Sequence, residues 1–432
     1  MKKPGKIVVC MMLCAALVTG LCGCATYTNF KNAFFGGDVE AQEKTIKIGV
    51  YEPMSGKFKD AGKEEIDGIE LANELYPTVL GKKVELVYAD NHSDMYAADT
   101  AIQELISSGS PSVILGSYGE TLTMVAGEYV RASATPNITI SCTNPLLTST
   151  NEYCFSATYT ETRQGDALAD FAYKDRDRKK VATLKIDGDD TATATIKRFT
   201  NRIKKLTNTS GSVGGNFSVT NEETDYSNII EVIRSTGADT VFLAVAPKTA
   251  RAFMEQAIKN NLTHVLFLGT RDWNDEKLLK FVKSNPTLKV AFPTEESQTK
   301  TSTMSEVFMG AYKEKFGEYA EPSEKTAVAF DAYCLAIKAI TEAYKTVEAT
   351  DPDEMKIDST SEAEIRAIKE ALEKAKESGV PQGMHIKNAL NSINGYEGAS
   401  GTISYNGNNE ATKTISINYY IGGKLQPAFS YE

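Results

Sequence analysis

From Thr45 onward the chain alternates short runs rich in β-branched and aromatic residues with amphipathic stretches, and this alternation restricts the fold more than any other feature. The strand candidates are Ile46–Tyr51, Val84–Tyr88, Ser112–Leu115, Ile138–Ser141, Val181–Leu184, Thr240–Ala244, Val265–Leu268 and Val290–Phe292. Between them Glu64–Leu75, Ala97–Ile106, Ile229–Ser235 and Ala250–Asn260 repeat apolar residues at helical spacing. Strand, helix and strand in succession build parallel sheets with helices on both faces. A body of about 390 residues is too large for one such core, so an α/β protein with two doubly wound parallel-sheet lobes is expected. In these sheets ligands sit beyond the carboxyl ends of the strands, where loops meet helix N-termini.

Residues 346–383 interrupt the alternation. Asp351–Glu354 is an acidic turn, and Ser361–Glu377 is a highly charged helical pattern with few apolar positions, read as an inserted surface helix solvated on most faces. The tail returns to strands, Thr402–Tyr405 and Thr414–Ile421, around a polar Asn406–Asn409 turn.

The N-terminus carries an address. Lys2, Lys3 and Lys6 precede an apolar run from Ile7 to Gly20, a stretch shorter than the roughly 20 apolar residues a spanning helix needs. It ends in Leu21-Cys22-Gly23-Cys24, which resembles the bacterial lipobox, with Cys22 where a smaller residue is usual. Residues 1–23 are therefore read as a lipoprotein signal peptide and Cys24 as the lipid-attachment residue. Residues 24–44 are read as a tether reaching roughly 25 Å, and the mature protein as anchored by lipid on the extracytoplasmic face of a bacterial cell membrane. An ordinary cleaved signal with an incidental Cys24 is the alternative.

Loss of Lys2, Lys3 and Lys6 with the signal takes the net charge from −10 to −13. An acidic body argues against a nucleic-acid partner, since phosphate contacts need clustered Lys and Arg. Of seven cysteines, Cys24, Cys142, Cys154 and Cys334 remain after cleavage. With one taken by lipid, an odd number is left, which makes no disulfide framework. Buried thiols are the reading preferred to a Cys142–Cys154 bridge. No metal-ligand spacing, nucleophile elbow, Walker loop or HExxH helix occurs, and His92, His264 and His385 are scattered. The acidic pairs Asp189-Asp190 and Glu222-Glu223 have no second constellation beside them. The expectation is a binding protein with no catalytic residues, cofactor or metal.

Six landmarks then appear in order: Ile48-Gly49-Val50 with Pro53-Met54-Ser55-Gly56; Gly116-Ser117-Tyr118-Gly119; Ser141-Cys142-Thr143-Asn144-Pro145; Arg163-Gln164-Gly165; Gly269 to Asp275 with Trp273; and Gly401-Thr402-Ile403. With them the chain, from Thr45 nearly to its end, resembles the branched-chain amino-acid (Leu/Ile/Val)-binding family of ABC-importer substrate-binding proteins, of the type I periplasmic binding protein fold. The resemblance implies two lobes joined by a multi-strand hinge, 45–160 with 293–400 (insertion 346–383) and 161–292 with 401–432, which close around a small-molecule ligand. It also implies a monomer whose partners are an ABC permease and its ATPase. A ligand carboxylate would be held by hydroxyls and backbone N–H groups near helix N-termini, here around Tyr118, Gly119, Glu120 and Thr121, and at Ser141, Cys142 and Thr143. The competing role for those hydroxyls is capping and turn formation.

The sequence departs from that pattern in charge. Glu120 falls where the family commonly has a carboxylate-binding Ser, and an ionised Glu repels a ligand carboxylate. Arg271, with Asp272 adjacent, falls where the acid that holds a ligand ammonium is expected, and the aromatic flanks are replaced by Val245 or Ala246 and by a residue near Asp190. Three readings stay open: a Glu120–Arg271 latch around a neutral ligand, a cation held by Asp190 and Asp272, or a one-residue shift in register that leaves Thr121 and Asp272 to bind an ordinary amino acid. A lipoprotein that reports occupancy to a receptor is the alternative to one that delivers cargo.

Overall fold

The computed structural model describes residues 45–431 except 296–301, 352–354, 356, 358–360, 406 and 408. Residues 1–23 and 24–44, read above as signal peptide and tether, lie outside the described residues, as do Asn406, Asn408 and part of the 346–383 segment. Two compact units result: residues up to Ile140 with Glu306–Ile393, and Ser141–Ser305 with Asn394–Glu432. These changeovers differ from positions 160, 292 and 400 for local reasons. The Glu161 N–H donates to Thr143 O at 3.1 Å, which ties the 141–160 segment to helix Glu161–Asp170. The strand beginning at Lys289 runs on to Glu295, and Tyr396–Gly398 pairs with Gly401–Tyr405 in one hairpin that a boundary at 400 would cut.

In the first unit β1 (Ile46–Glu52) lies between β3 (Lys82–Asp90) and β4 (Val113–Leu115), parallel to both, with β2 (Thr78–Val79) antiparallel outside β3 and β5 (Asn137–Thr139) parallel outside β4. Ile46, Ile48, Val50 and all of β4 are buried, as strands covered on both faces require. The chain winds from β1 out to β3 and then crosses to β4, so its topological switch point falls between the carboxyl ends of β1 and β4. Helix Lys59–Leu75 packs on helix Glu324–Ala349. Gly68 permits the approach: a Cβ there would meet Thr326 O at 2.2 Å. Helix Glu362–Ser378 has the solvated character read from its charges. It buries only Leu372 and Ala375, packed with Val347 and partly buried Met355.

The second unit holds β6 (Cys154–Ser156), β7 (Val181–Ile186), β8 (Val213–Val219), β9 (Thr240–Ala244), β10 (Leu266–Leu268), β11 (Lys289–Glu295), β12 (Tyr396–Gly398), β13 (Gly401–Tyr405), β14 (Ala411–Thr412), β15 (Ile415–Ile421) and β16 (Lys424–Tyr431). Its large sheet runs β16-β15-β11-β10-β9-β7-β8. Five strands are parallel, but β15 and β16 are antiparallel, so the sheet is mixed rather than wholly parallel. Gly422 and Gly423, both at positive φ, form the tight turn that reverses the chain. Alternate residues enter opposite cores: Val241 and Leu243 join one, Phe242 and Ala244 the other. The switch point here lies between β7 and β9.

Cys142, Cys154 and Cys334 are buried thiols, and Cys142 and Cys154 are not bridged. Among the described residues no helix is long and apolar enough to cross a membrane, and no cluster of His, Cys, Asp and Glu could hold a metal ion.

Candidate functional site

Three loops leave the carboxyl ends of β1, β3 and β4 in the first unit, and a continuous polar network sets their shape. Glu52 and Asp90, paired in register, end their strands together. Asp90 Oδ1 accepts the N–H groups of Met54 (2.9 Å), Ser55 (3.3 Å) and His92 (2.8 Å). Burial pushes the Asp90 carboxyl up, but hydrogen bonds from His92, Ser55 and Met54 outweigh it and hold the group below the usual carboxylate range. Ser55 Oγ and Asp90 Oδ2 both approach His92 Nδ1, at 2.7 and 3.1 Å. Because they meet the same ring nitrogen, the imidazole does not bridge them, and the trio is no nucleophile relay. It fixes the 53–56 turn instead.

Asn91 Nδ2 donates to Ser117 Oγ at 2.7 Å, Thr123 Oγ1 donates to Ser117 O at 2.7 Å, and Asn137 Nδ2 donates to Gly116 O at 2.9 Å. The Tyr118 N–H donates to Glu52 Oε2 at 2.8 Å, and its ring meets Phe58 edge-on with centroids 5.5 Å apart. Helix Glu120–Ala132 then begins from Gly119 at φ +94° with no side-chain cap, and Thr121 in its first turn is exposed. Its opening N–H groups and the helix dipole favour an anion. Glu120 is half-buried in that first turn, where its charge suits the dipole and opposes an anionic guest.

The preceding loop carries an independent test of local order. Asp94 caps helix Met95–Glu104 by accepting the N–H groups of Tyr96 (2.9 Å) and Ala97 (3.0 Å). Asp94→Ala is expected to lower stability by about 1 kcal/mol, read as a shift in the denaturant midpoint at unchanged slope.

In the second unit the candidates separate into two groups. Ser141 is half-buried and Cys142 is buried. Thr143 Oγ1 donates to Glu161 Oε1 at 3.0 Å, while Glu161 Oε2 accepts from Thr195 Oγ1 at 3.4 Å. Asn144 caps the short helix after it through Leu146 N–H at 2.9 Å. The Thr143 proton is thus directed at a carboxylate, a role that residue type alone does not reveal. Arg271, in a short 3₁₀ turn after β10, donates from Nη1 to Thr158 Oγ1 at 3.0 Å and from its backbone N–H to Gln164 Oε1 at 3.3 Å. Its guanidinium lies over the Tyr159 ring, 5.4 Å from the centroid. Buried Trp273 anchors this turn, donating from Nε1 to Val245 O at 3.0 Å. Asp272 is exposed, as is Asp190, which opens helix Asp190–Thr207 after its cap, Asp189.

Sequence reasoning missed Glu52 and Glu65. Both are fully buried in the first unit. A signal existed for each: Glu52 closes the apolar run Ile46–Tyr51, and Glu65 shares a helix face with Gly62, Ile69 and Ala72. Burial, then the charge and hydrogen bond of Glu65, push the Glu52 carboxyl well above the usual carboxylate range, and the Tyr118 N–H opposes the shift.

Comparison with known proteins places this geometry. No curated protein sequence matches the chain. Among solved structures it is similar to a leucine-binding protein from Thermotoga maritima (22% identity, 88% of this chain and 97% of that one, TM-score 0.65). It is also similar to a branched-chain amino acid transporter substrate-binding protein from Streptococcus pneumoniae in complex with isoleucine (20%, 90% and 99%, 0.66). A third similar structure is an ABC-transporter solute-binding protein from Rhodopseudomonas palustris in complex with 3,4-dihydroxybenzoic acid (21%, 90% and 97%, 0.63). At these identities the likeness shows the shared type I periplasmic binding protein fold. The periplasmic binding protein family profile matches residues 45–421, nearly the whole described body. The chain therefore belongs to the periplasmic binding protein family.

Proposed function

We propose that this protein captures a small carboxylate, an amino acid or a close relative, outside the cell and delivers it to an ABC permease and its ATPase. In this reading it acts as a monomer held to the membrane through lipid on Cys24, and its two units close on the solute. The observation that carries the reading is the uncapped start of helix Glu120–Ala132, reached through Gly119 directly beyond β4 at the switch point. Two of the similar proteins were solved with isoleucine and with 3,4-dihydroxybenzoic acid, and the group those two ligands share is a carboxylate. Thr121 and the N–H groups beside it on the first unit, and Ser141 on the second, are assigned to that carboxylate, with Tyr118 and the Cys142 backbone lining it, while Thr143 keeps its hydroxyl proton on Glu161. Arg271, already oriented by Thr158 and Gln164, is assigned to a second polar or anionic group of the solute, and Asp190 and Asp272 to its remaining polar groups. This assignment favours an acid without an ammonium, or with its ammonium turned toward Asp272.

A thermal-shift screen of the protein with branched-chain amino acids, hydroxybenzoates, dicarboxylates and polyamines tests the assignment. A true solute at a hundred times its dissociation constant stabilises by about 2.7 kcal/mol. Stabilisation by polyamines with none by any carboxylate would remove the reading. Glu120→Ser takes a like charge from beside the carboxylate site. It is expected to tighten carboxylate binding about fivefold, the effect of roughly 1 kcal/mol of screened repulsion. An unchanged affinity by calorimetry places Glu120 away from the solute.

A further inference from the structure

Glu52 and Glu65 are two of the three acids among the described residues of the first unit that have no exposed surface, the third being Asp331. Glu52 is the last residue of β1 and Glu65 stands on helix Lys59–Leu75, each with no exposed surface. Glu65 is the charged group that bears most strongly on the Glu52 carboxyl. Two carboxylates have no hydrogen between them to share, so one of the pair carries a proton. Glu52 Oε1 is buried and meets no other donor, and the proton of the pair is the partner it needs.

The same carboxyl is clasped by the turn after β4. Oε2 accepts the Tyr118 N–H at 2.8 Å. On the other side Gly116 lies so close that a Cβ would stand 2.3 Å from Oε1. The turn from Gly116 to Gly119 is thus moulded on Glu52 and opens helix Glu120–Ala132 one residue later. We propose that Glu52 and Glu65 are positioning residues, a carboxyl pair holding one proton that sets the Gly116–Gly119 turn for solute and weakens capture when the proton is lost. The effect on solute rests on the function proposed above, but the moulding of the turn is independent of it.

The groups around the pair fix the direction of the pH effect. Glu65 faces Glu52 from the helix, and Tyr51 is its neighbour on the strand, with its hydroxyl given to Ala98 O at 3.3 Å and Leu122 O at 3.2 Å. Asp99 acts on that same tyrosine. Tyr118 contributes its backbone N–H. Burial first, then Glu65, raises the Glu52 carboxyl. An acid whose folded-state value is raised binds more protons folded than unfolded, so the local structure is favoured at low pH and loses stability as pH rises through the folded value. Above that point two like charges share a site without water and must separate, and the turn loses its template.

The test compares the full wild-type chain with Glu65→Gln and, separately, Glu52→Gln, each of which retains a donor and an acceptor between the two side chains and removes one titration. Hydrogen–deuterium exchange of the peptide spanning 116–119, corrected for the intrinsic rate, is followed from pH 5.5 to 9 without solute. Binding of isoleucine and of 4-hydroxybenzoate is measured over the same range. Wild-type protection is expected to fall about tenfold or more as pH rises and the shared proton is lost. Either Gln variant should hold it within about threefold, and solute affinity should follow the same profiles. Flat wild-type exchange, or a pH-dependent loss that both Gln variants keep, overturns the inference whether or not solute binds. If neither solute binds at any pH while exchange behaves as stated, the ligand reading fails and the moulding of the turn by the pair stands.

Discussion

Gly116→Ala is expected to lower the melting temperature by about 10 °C and to abolish solute binding. Gly116 sits at φ +107°, a conformation that L side chains rarely adopt. That alone disfavours alanine by about 1–2 kcal/mol. The space is also taken: the new Cβ would lie 2.3 Å from Tyr51 O as well as from Glu52 Oε1. A backbone oxygen at the end of a central buried strand does not yield, so the turn must move. Overpacking of this kind adds about 1–3 kcal/mol. Roughly 3–4 kcal/mol at about 2–4 °C per kcal/mol gives the stated shift. Gly237→Ala separates the two causes, because Gly237 has φ +71° and open space around its Cβ position. It should show the backbone strain alone and lower the melting temperature by only a few degrees. Equal shifts for the two variants would mean that the turn does not press on Glu52. Retained binding in Gly116→Ala would detach the turn from the solute.

The parts of the fold that announce themselves are those with one period. β1, β4 and β9 are near-continuous apolar runs, as strands buried on both faces must be, and were legible at once. β8 was not: its Gly214-Gly215 and half-exposed residues erase the pattern, and it is held at the sheet edge by pairing with β7. Helix Glu324–Ala349 also escaped notice. It is buried almost all round through its middle, from Thr326 to Ala339, so it carries no polar face to set a stripe. The antiparallel β15–β16 end was only half visible, since the second strand after Gly422-Gly423 pairs with β15, which in turn depends on tertiary pairing with β11.

The candidate site was legible only through order and resemblance. Ser, Thr and Gly at strand ends look alike whether they cap a helix or meet a solute. Thr143 shows why, since its hydroxyl proton goes to Glu161 across a gap of 18 residues that no spacing rule predicts. Arg271 is a similar case. Its orientation comes from Thr158, Gln164 and the Tyr159 ring, more than a hundred residues earlier in the chain. Glu52 and Glu65 were hidden for another reason. Burial is what makes them unusual, and burial is decided by the packing of a helix on a strand end, not by the composition of either.

Gly269→Ala should be the most damaging single methyl in the second unit, by about 3–5 kcal/mol. Here the backbone is not the obstacle, since Gly269 does not need a positive φ. The obstacle is the indole of Trp273, which lies on the glycine so closely that a Cβ would stand 1.9 Å from Cδ2 and 2.3 Å from both Cε2 and Cε3. Trp273 has no exposed surface and is packed in the core that includes Val245, Phe267 and Val290. Ejecting it loses the packing of a large aromatic and the hydrogen bond to Val245 O together. Because Trp273 closes the turn that begins at Arg271, its displacement also moves Arg271 off Thr158 and Gln164. Solute affinity should therefore fall along with stability. A double-mutant cycle identifies the collision as the cause: Trp273→Leu alone is destabilising, but adding Gly269→Ala to it should cost about 2 kcal/mol less than in the wild type. Denaturant unfolding of the four proteins measures that coupling. Strict additivity would show that the glycine is required for something other than room for the indole.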